Sequence, residues 1–229
     1  MKKIRTKEYY QVFLLRSLGN FLIITSLFFI GKTFYQPIKE EIKYFRDHLT
    51  AKKYFVANSN LDKQIKKGQL AKSISLKSVE FLIPEDPYYS IIIPKIGANA
   101  RIIPNVDPSN ESIYLNALKK GVAHALGTAF PGEGGHIFLF AHSTDYFWNV
   151  GSYNAVFYLL YKLEKGDEVI LFYKNQRYVY RISDKKVVDP TDVKYLTRKT
   201  NNEFLTLQTC WPPGTTLKRI LLFATRVKE

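Results

Sequence analysis

The sequence holds a single cysteine, Cys210, in the run Thr206-Leu207-Gln208-Thr209-Cys210-Trp211-Pro212-Pro213-Gly214, with Arg219 nine positions further on. A thiol that closes an apolar, strand-like stretch, meets a Pro-Pro-Gly turn and has a permanent cation on the returning segment is placed for nucleophilic chemistry. One cysteine can form neither an intrachain disulfide nor a multi-thiolate zinc site. What remains is a reactive nucleophile or a small buried hydrophobe.

A thiol near its ordinary pKa of about 8.5 is mostly protonated at neutral pH, so a nucleophilic cysteine needs a partner that makes or stabilises the thiolate. Of four histidines, His48 falls on a helical, solvated stretch and His136 lies inside a strand-like run, where a structural role is expected. His142 ends the run 135–141 just before the polar and aromatic stretch 143–153, so rigid backbone feeds a loop there. It is the candidate acid or base, with a capped surface histidine as the competing reading. Arg219 keeps its charge at any physiological pH and offers a fork of donors, which suits an oxyanion or a substrate carbonyl. Spacing alone also allows a surface arginine on an edge strand.

These residues need elements to hold them. Segments 90–94, 135–141, 168–173, 177–183, 204–209 and 217–226 are rich in Ile, Val, Phe, Tyr and Thr and bounded by Gly, Pro, Asn or Asp, the pattern of short strands. Lys174-Asn175-Gln176 reads as a hairpin turn, and 112–119 and 153–160 read as short helices. Many short strands with few helices predict a mainly β protein built on a closed or nearly closed barrel, and no internal repeat points to a propeller or solenoid.

The front of the chain is different. Residues 12–31 form an apolar stretch of about 20 residues, the length that crosses a hydrocarbon core of roughly 30 Å, with Arg16 near one end where it can snorkel. Lys2, Lys3, Arg5 and Lys7 precede it and favour a cytoplasmic N-terminus. A cleaved signal peptide competes with an uncleaved anchor. The length of the apolar stretch and the absence of a small-x-small cleavage site favour the anchor. Ile38, Ile42, Phe45 and Leu49 then recur at helical spacing, predicting a stalk helix over 37–55 with Pro37 in its first turn, followed by a lysine-rich linker over 58–77.

The formal net charge of +14 is concentrated in the first 80 residues, which hold 16 Lys and Arg against 6 Asp and Glu. Anionic lipid or cell-wall polymer is the natural counter-charge for such a segment. No nucleic-acid-binding motif accompanies the charge, so nucleic acid is not an expected partner.

The blocks SIIIPKIGANARI, KGVAHALGTAFPGEGGHIFLFAHS, LEKGDEVILFY and LTLQTCWPPGTTLKRILLFATRV occur in order across residues 90–227, and in them the chain resembles the sortases, membrane-anchored cysteine transpeptidases of Gram-positive-type envelopes. The resemblance implies a sortase-type closed β-barrel with a few short helices, preceded by an N-terminal transmembrane helix. It implies that Cys210 attacks the scissile carbonyl, His142 protonates the departing amine and Arg219 stabilises the oxyanion. His124 matches a family histidine outside the catalytic set. Implied partners are surface proteins bearing a C-terminal LPxTG-like sorting signal, an amine acceptor on a peptidoglycan precursor or a pilin, and the membrane.

Ala141-His142-Ser143 replaces the commoner Gly-His-Arg, and His136 stands where Asn is frequent, so the subclass is left between C-like and D-like. Asp86-Pro87-Tyr88 is similar to a class C lid motif but lies too close to the first barrel strand for a long flap. No cofactor or metal is expected: Glu133, Asp145, Glu164, Asp167 and Glu168 are scattered acids without calcium-ligand spacing, and His and Cys are too sparse for zinc.

The expected organisation is a tail and anchor over 1–35, a stalk and linker over 36–83 and a catalytic barrel over 84–229. Two other functions stay open on the residues: a tethered cysteine endopeptidase that passes the acyl group to water, and a non-catalytic wall-binding β-domain.

Overall fold

A computed structural model describes residues 6–50, 53–56, 79–143 and 156–227. Two compact units divide between Glu40 and Glu41. The first is the front of helix α1 (Thr6–Leu49), in which Tyr9–Tyr35 is long and apolar enough to cross a bilayer. Pro37 lies inside this helix and not in a first turn, and the helix stops at Leu49. Beyond it Lys53–Val56 is a strand, β1, paired in parallel with β2 (Val79–Leu82). The aromatic and β-branched sequence KYFV suits a strand better than a helical end. The predicted linker over 58–77 lies outside the described residues.

The second unit is built on a barrel of eight strands: β3 (Tyr89–Ile93), β4 (Ala98–Val106), β5 (Val122–Ala125), β6 (His136–Phe140), β7 (Glu168–Tyr173), β8 (Gln176–Val188), β9 (Phe204–Trp211) and β10 (Lys218–Arg226). Their order round the barrel is β10-β8-β7-β3-β4-β5-β6-β9, closed by pairing of β9 with β10. Helix α2 (Glu111–Leu118) links β4 to β5, and its N-cap Asn110 accepts a hydrogen bond from the Ile113 amide at 3.2 Å. The hairpin turn expected at 174–176 is present, with Lys174 and Asn175 both at positive φ, as a two-residue primed turn requires.

Alternation along the strands sorts side chains into two faces. On β6 and β9, Ile137, Leu139, Leu205 and Leu207 belong to the central core. On β10, Ile220, Leu222 and Ala224 do the same. The intervening residues point outward. Phe138, Leu221 and Phe223 form a second cluster on the outside, covered by Tyr195 and Leu196 of the β8–β9 connection.

The described part of segment 153–160, residues 156–160, is not the α-helix that its apolar content suggests. Residues 153–155 lie outside the described part, and 156–159 form a turn that leads into a 3₁₀ turn over Leu160–Lys162. The reason is periodicity: Phe157, Leu160 and Leu163 recur every third residue, the 3₁₀ repeat, and all three are fully buried in the core.

Candidate active site

Cys210 sits near the end of β9 and Arg219 near the start of β10, and the two are direct Cα partners in the antiparallel register. Directly opposed residues project from the same side of a sheet. Both belong to the outward set, since their neighbours Thr209 and Ile220 are buried. The Arg219 guanidinium donates through Nη1 to the Thr216 and Lys218 carbonyls, both at 3.1 Å, which anchors its root in the β9–β10 turn.

The segment that leads to His142 approaches by a different route. β6 and β9 pair in parallel, from His136 opposite Phe204 to Phe140 opposite Gln208, a constant offset of 68 residues. The register ends there, and the same offset carried two residues further would bring His142 opposite Cys210. Two hydrogen bonds hold the chain to that course. The Ala141 amide donates to Gln208 O at 3.1 Å, and the buried Thr209 hydroxyl donates to Ala141 O at 2.8 Å. The residue before the histidine is thus tied to the two residues before the cysteine.

Farther down the same outer face, the apolar cluster under Tyr195 and Leu196 is closed to water, and Tyr114 of α2 meets Phe140 edge-on at 6.4 Å. At the upper end His142, Cys210 and Arg219 remain half-exposed. A reacting group can reach them there while strand backbone holds them.

Burial pushes the Cys210 thiol above its ordinary pKa, and the Arg219 charge pulls it part of the way back. The resting sulfur is therefore a protonated thiol whose ionisation depends on nearby positive charge.

The remaining histidines have other surroundings. His124 is fully buried, its Nε2 lying 3.1 Å from Ala129 O and 2.9 Å from Thr128 Oγ1, and burial lowers its pKa. His136 is buried too, 2.8 Å from Thr206 Oγ1, with its pKa pushed down to about 4 by desolvation. Each stays neutral at physiological pH. His48 is exposed on α1 against the Tyr44 ring.

The acidic residues weighed for calcium are engaged elsewhere. Lys95 Nζ lies 2.8 Å from Asp167 and 3.9 Å from Glu164, Arg181 pairs with Glu168 at 3.2 Å, and Glu133 accepts the Phe130 amide. Asp145 lies outside the described residues, as does most of the 143–153 stretch expected to shape the pocket. Among the described residues no three His, Cys, Asp or Glu side chains form a metal-binding group. Asp86-Pro87-Tyr88 is bound into the entry to β3: Asp86 accepts the Tyr88 amide at 2.8 Å and lies 3.7 Å from Arg101.

The Thr209 clamp is the part of the site that sequence reasoning missed. A threonine inside a β-strand carries no sign that its hydroxyl is spent across to a neighbouring strand.

A barrel of this topology, with Cys210 and Arg219 paired on neighbouring strands, has clear relatives. The sortase-domain family model matches residues 91–227, more than half of the chain, and the chain belongs to the sortase family. It is 32% identical over 138 residues to sortase D of Bacillus subtilis, a match that covers 59% of this chain and 61% of that protein. The fold is similar to that of sortase C-1 from Actinomyces oris (30% identity, TM-score 0.52, covering 63% of this chain and 76% of the other). It is also similar to a lid mutant of sortase A from Corynebacterium diphtheriae (28% identity, TM-score 0.51, covering 63% and 72%).

Proposed function

We propose that this chain is a membrane-anchored cysteine transpeptidase that cleaves an LPxTG-like sorting signal through a thioester and transfers the acyl group to a cell-wall or pilin amine. The observation that carries the reading is the direct pairing of Cys210 with Arg219 across β9 and β10, supported by a parallel β6–β9 register whose continuation leads toward His142.

The chemistry derives from the groups. The Cys210 thiol gives up its proton to solvent, leaving a thiolate stabilised by the Arg219 charge, and Sγ attacks the scissile carbonyl carbon, forming the C–S bond as the carbonyl electrons move to oxygen. Arg219 faces that oxygen and stabilises the charge, an interaction that costs roughly 10²- to 10³-fold in rate when such a donor is removed. Collapse of the intermediate breaks the C–N bond, and His142 delivers a proton to the departing amine. An acceptor amine then attacks the thioester, passes its proton to His142 and expels the Cys210 thiolate. Helix Tyr9–Tyr35, with the basic residues before it in the sequence, supports a single-pass anchor with the barrel outside the cell.

Mass spectrometry of the protein mixed with a panel of LPxTG-like peptides tests the reading. A thioester adduct on Cys210, lost in Cys210→Ala, is expected with at least one peptide. A transfer product on addition of an amine supports the transpeptidase, hydrolysis alone supports the endopeptidase, and no adduct with any peptide overturns both.

A further inference from the structure

Helix α1 does not end where the apolar span ends, and its last turns, residues 41–49, belong to the same compact unit as the barrel. There the Tyr161 hydroxyl donates a hydrogen bond to Glu41. Lys162 Nζ lies 3.2 Å from the same carboxylate and also sits over the Tyr44 and Tyr161 rings, 5.3 and 4.9 Å from their centroids. The Tyr161 ring also packs on Trp211 at 5.2 Å. Trp211 comes directly after Cys210 and is the Cα partner of Lys218, which precedes Arg219.

From these contacts we propose that Glu41 is a positioning residue for the nucleophile, acting through Tyr161 and Trp211 on the Cys210–Arg219 pair. The inference rests on the catalytic reading of that pair.

The division of labour at Tyr161 supports it. The barrel fixes its backbone, because Lys185 of β8 donates to the Tyr161 and Leu163 carbonyls at 2.8 and 2.9 Å. Glu41 fixes the direction of the ring hydroxyl. Burial first, and then the Glu41 bond, pushes the Tyr161 pKa up to about 12, so the phenol remains a donor throughout any working pH range. Trp211 lies partly buried against the central core, so its indole fixes the height at which β9 leaves the barrel. A shift of the Tyr161 ring moves the indole, and the indole moves the strand end that carries the thiol. Charge-assisted bonds of this kind are stronger than neutral ones and directional, which suits them to orientation.

The test uses the full-length protein in detergent micelles, with Glu41→Ala, Glu41→Gln, Tyr161→Phe and the Glu41→Ala/Tyr161→Phe double variant. Two readouts are taken: the pH profile of Cys210 alkylation by iodoacetamide, and kcat and KM for a peptide that the wild type cleaves. Expected are a fall of about tenfold in kcat with KM within about twofold for both Glu41→Ala and Tyr161→Phe, and no further loss in the double variant. Both variants also move the alkylation midpoint to higher pH, as Cys210 loses alignment with Arg219.

Glu41→Gln keeps an acceptor for the phenol while giving up the Lys162 ion pair, and stays within about threefold of wild type. Should Glu41→Ala not fold, Tyr161→Phe carries the test on the same terms. Wild-type kinetics and an unmoved alkylation profile in Tyr161→Phe, or additive losses in the double variant, overturn the inference. A wild type that cleaves no peptide removes the catalytic reading instead, and the alkylation profiles still decide whether Glu41 acts on Cys210.

Discussion

Thr209 and Ala141 are joined across parallel strands by a buried hydrogen bond, hydroxyl to carbonyl at 2.8 Å, one residue before the proposed nucleophile and one before the proposed acid. The bond lies beyond the last register pair between β6 and β9, where it and the Ala141 amide bond to Gln208 O hold the two strand ends together. It sets how far apart sulfur and imidazole can drift.

Thr209→Val keeps the shape and β-branching of the side chain but leaves the Ala141 carbonyl without its donor. The expected cost is about 1–3 kcal/mol of stability, the usual penalty for a buried group left unpaired, read as a lower melting temperature. Cleavage should fall by more than the lost folded fraction explains, because the two strand ends separate. Thr209→Ser restores the hydroxyl and should recover most of both. Equal activity in Thr209→Val and wild type removes the clamp from the site.

Arg219→Gln separates charge from hydrogen bonding at the other side of the cysteine. Burial raises the Cys210 pKa and Arg219 opposes it, so loss of the cation lets burial act alone. The midpoint of the alkylation rate against pH therefore moves upward, and at fixed neutral pH alkylation slows. Arg219→Lys restores the charge and should bring the midpoint back, yet its ammonium lacks the planar fork, so peptide cleavage stays well below wild type. An unchanged midpoint in Arg219→Gln shows that the guanidinium does not act on the sulfur.

Why Cys210 and Arg219 are legible in the sequence and His142 is less so is a matter of distance along the chain. The first two flank one short turn, and any hairpin over 210–219 pairs them. Only the parallel pairing of β6 with β9, 68 residues apart, leads the chain before the histidine toward the cysteine, and no local pattern encodes that pairing, which family resemblance supplies.

The barrel itself is visible as apolar, β-branched runs, but two of its strands are not. β5 has only four residues, and β4 contains Pro104 and Asn105, the latter at positive φ. β8 runs on to Val188 through the polar stretch Asp184-Lys185-Lys186, because the pairing with β10 continues after the apolar pattern stops. The contact of Glu41 with Tyr161 joins positions 120 residues apart and has no sequence signal at all.

His136 predicts an acid-sensitive fold. Its ordinary pKa of 6.5 is pushed down to about 4 in the folded state by desolvation, so the unfolded chain takes up a proton that the folded chain resists. The stabilising contribution is complete above pH 6.5 and is lost as pH falls from there toward 4. By pH 5 the loss is on the order of 2 kcal/mol, with buried His124 acting in the same direction. His136→Asn keeps a polar partner for Thr206 and removes the titration. Urea denaturation at pH 7 and pH 5 should show a smaller drop for the variant than for wild type. Identical drops assign the acid sensitivity to other groups.

The role of His142 can be isolated by the choice of leaving group. A peptide bond breaks only if the departing nitrogen receives a proton, whereas a peptide thioester or activated ester expels an anion that needs none. If His142 supplies that proton, His142→Ala should lose on the order of 10²- to 10⁴-fold in acylation of Cys210 by a peptide but far less with a thioester of the same sequence. Arg219→Gln, by contrast, should slow both substrates, since each passes through an oxyanion at the same carbonyl. Acylation rates measured by intact-protein mass spectrometry for the two substrates and the two variants give four numbers whose pattern is diagnostic. Equal losses for peptide and thioester in His142→Ala would transfer the histidine from the leaving group to the sulfur, as the base that makes the thiolate. Because Cys210 is held up as a thiol by burial and only partly relieved by Arg219, that outcome would mean that the imidazole completes the activation that the guanidinium begins.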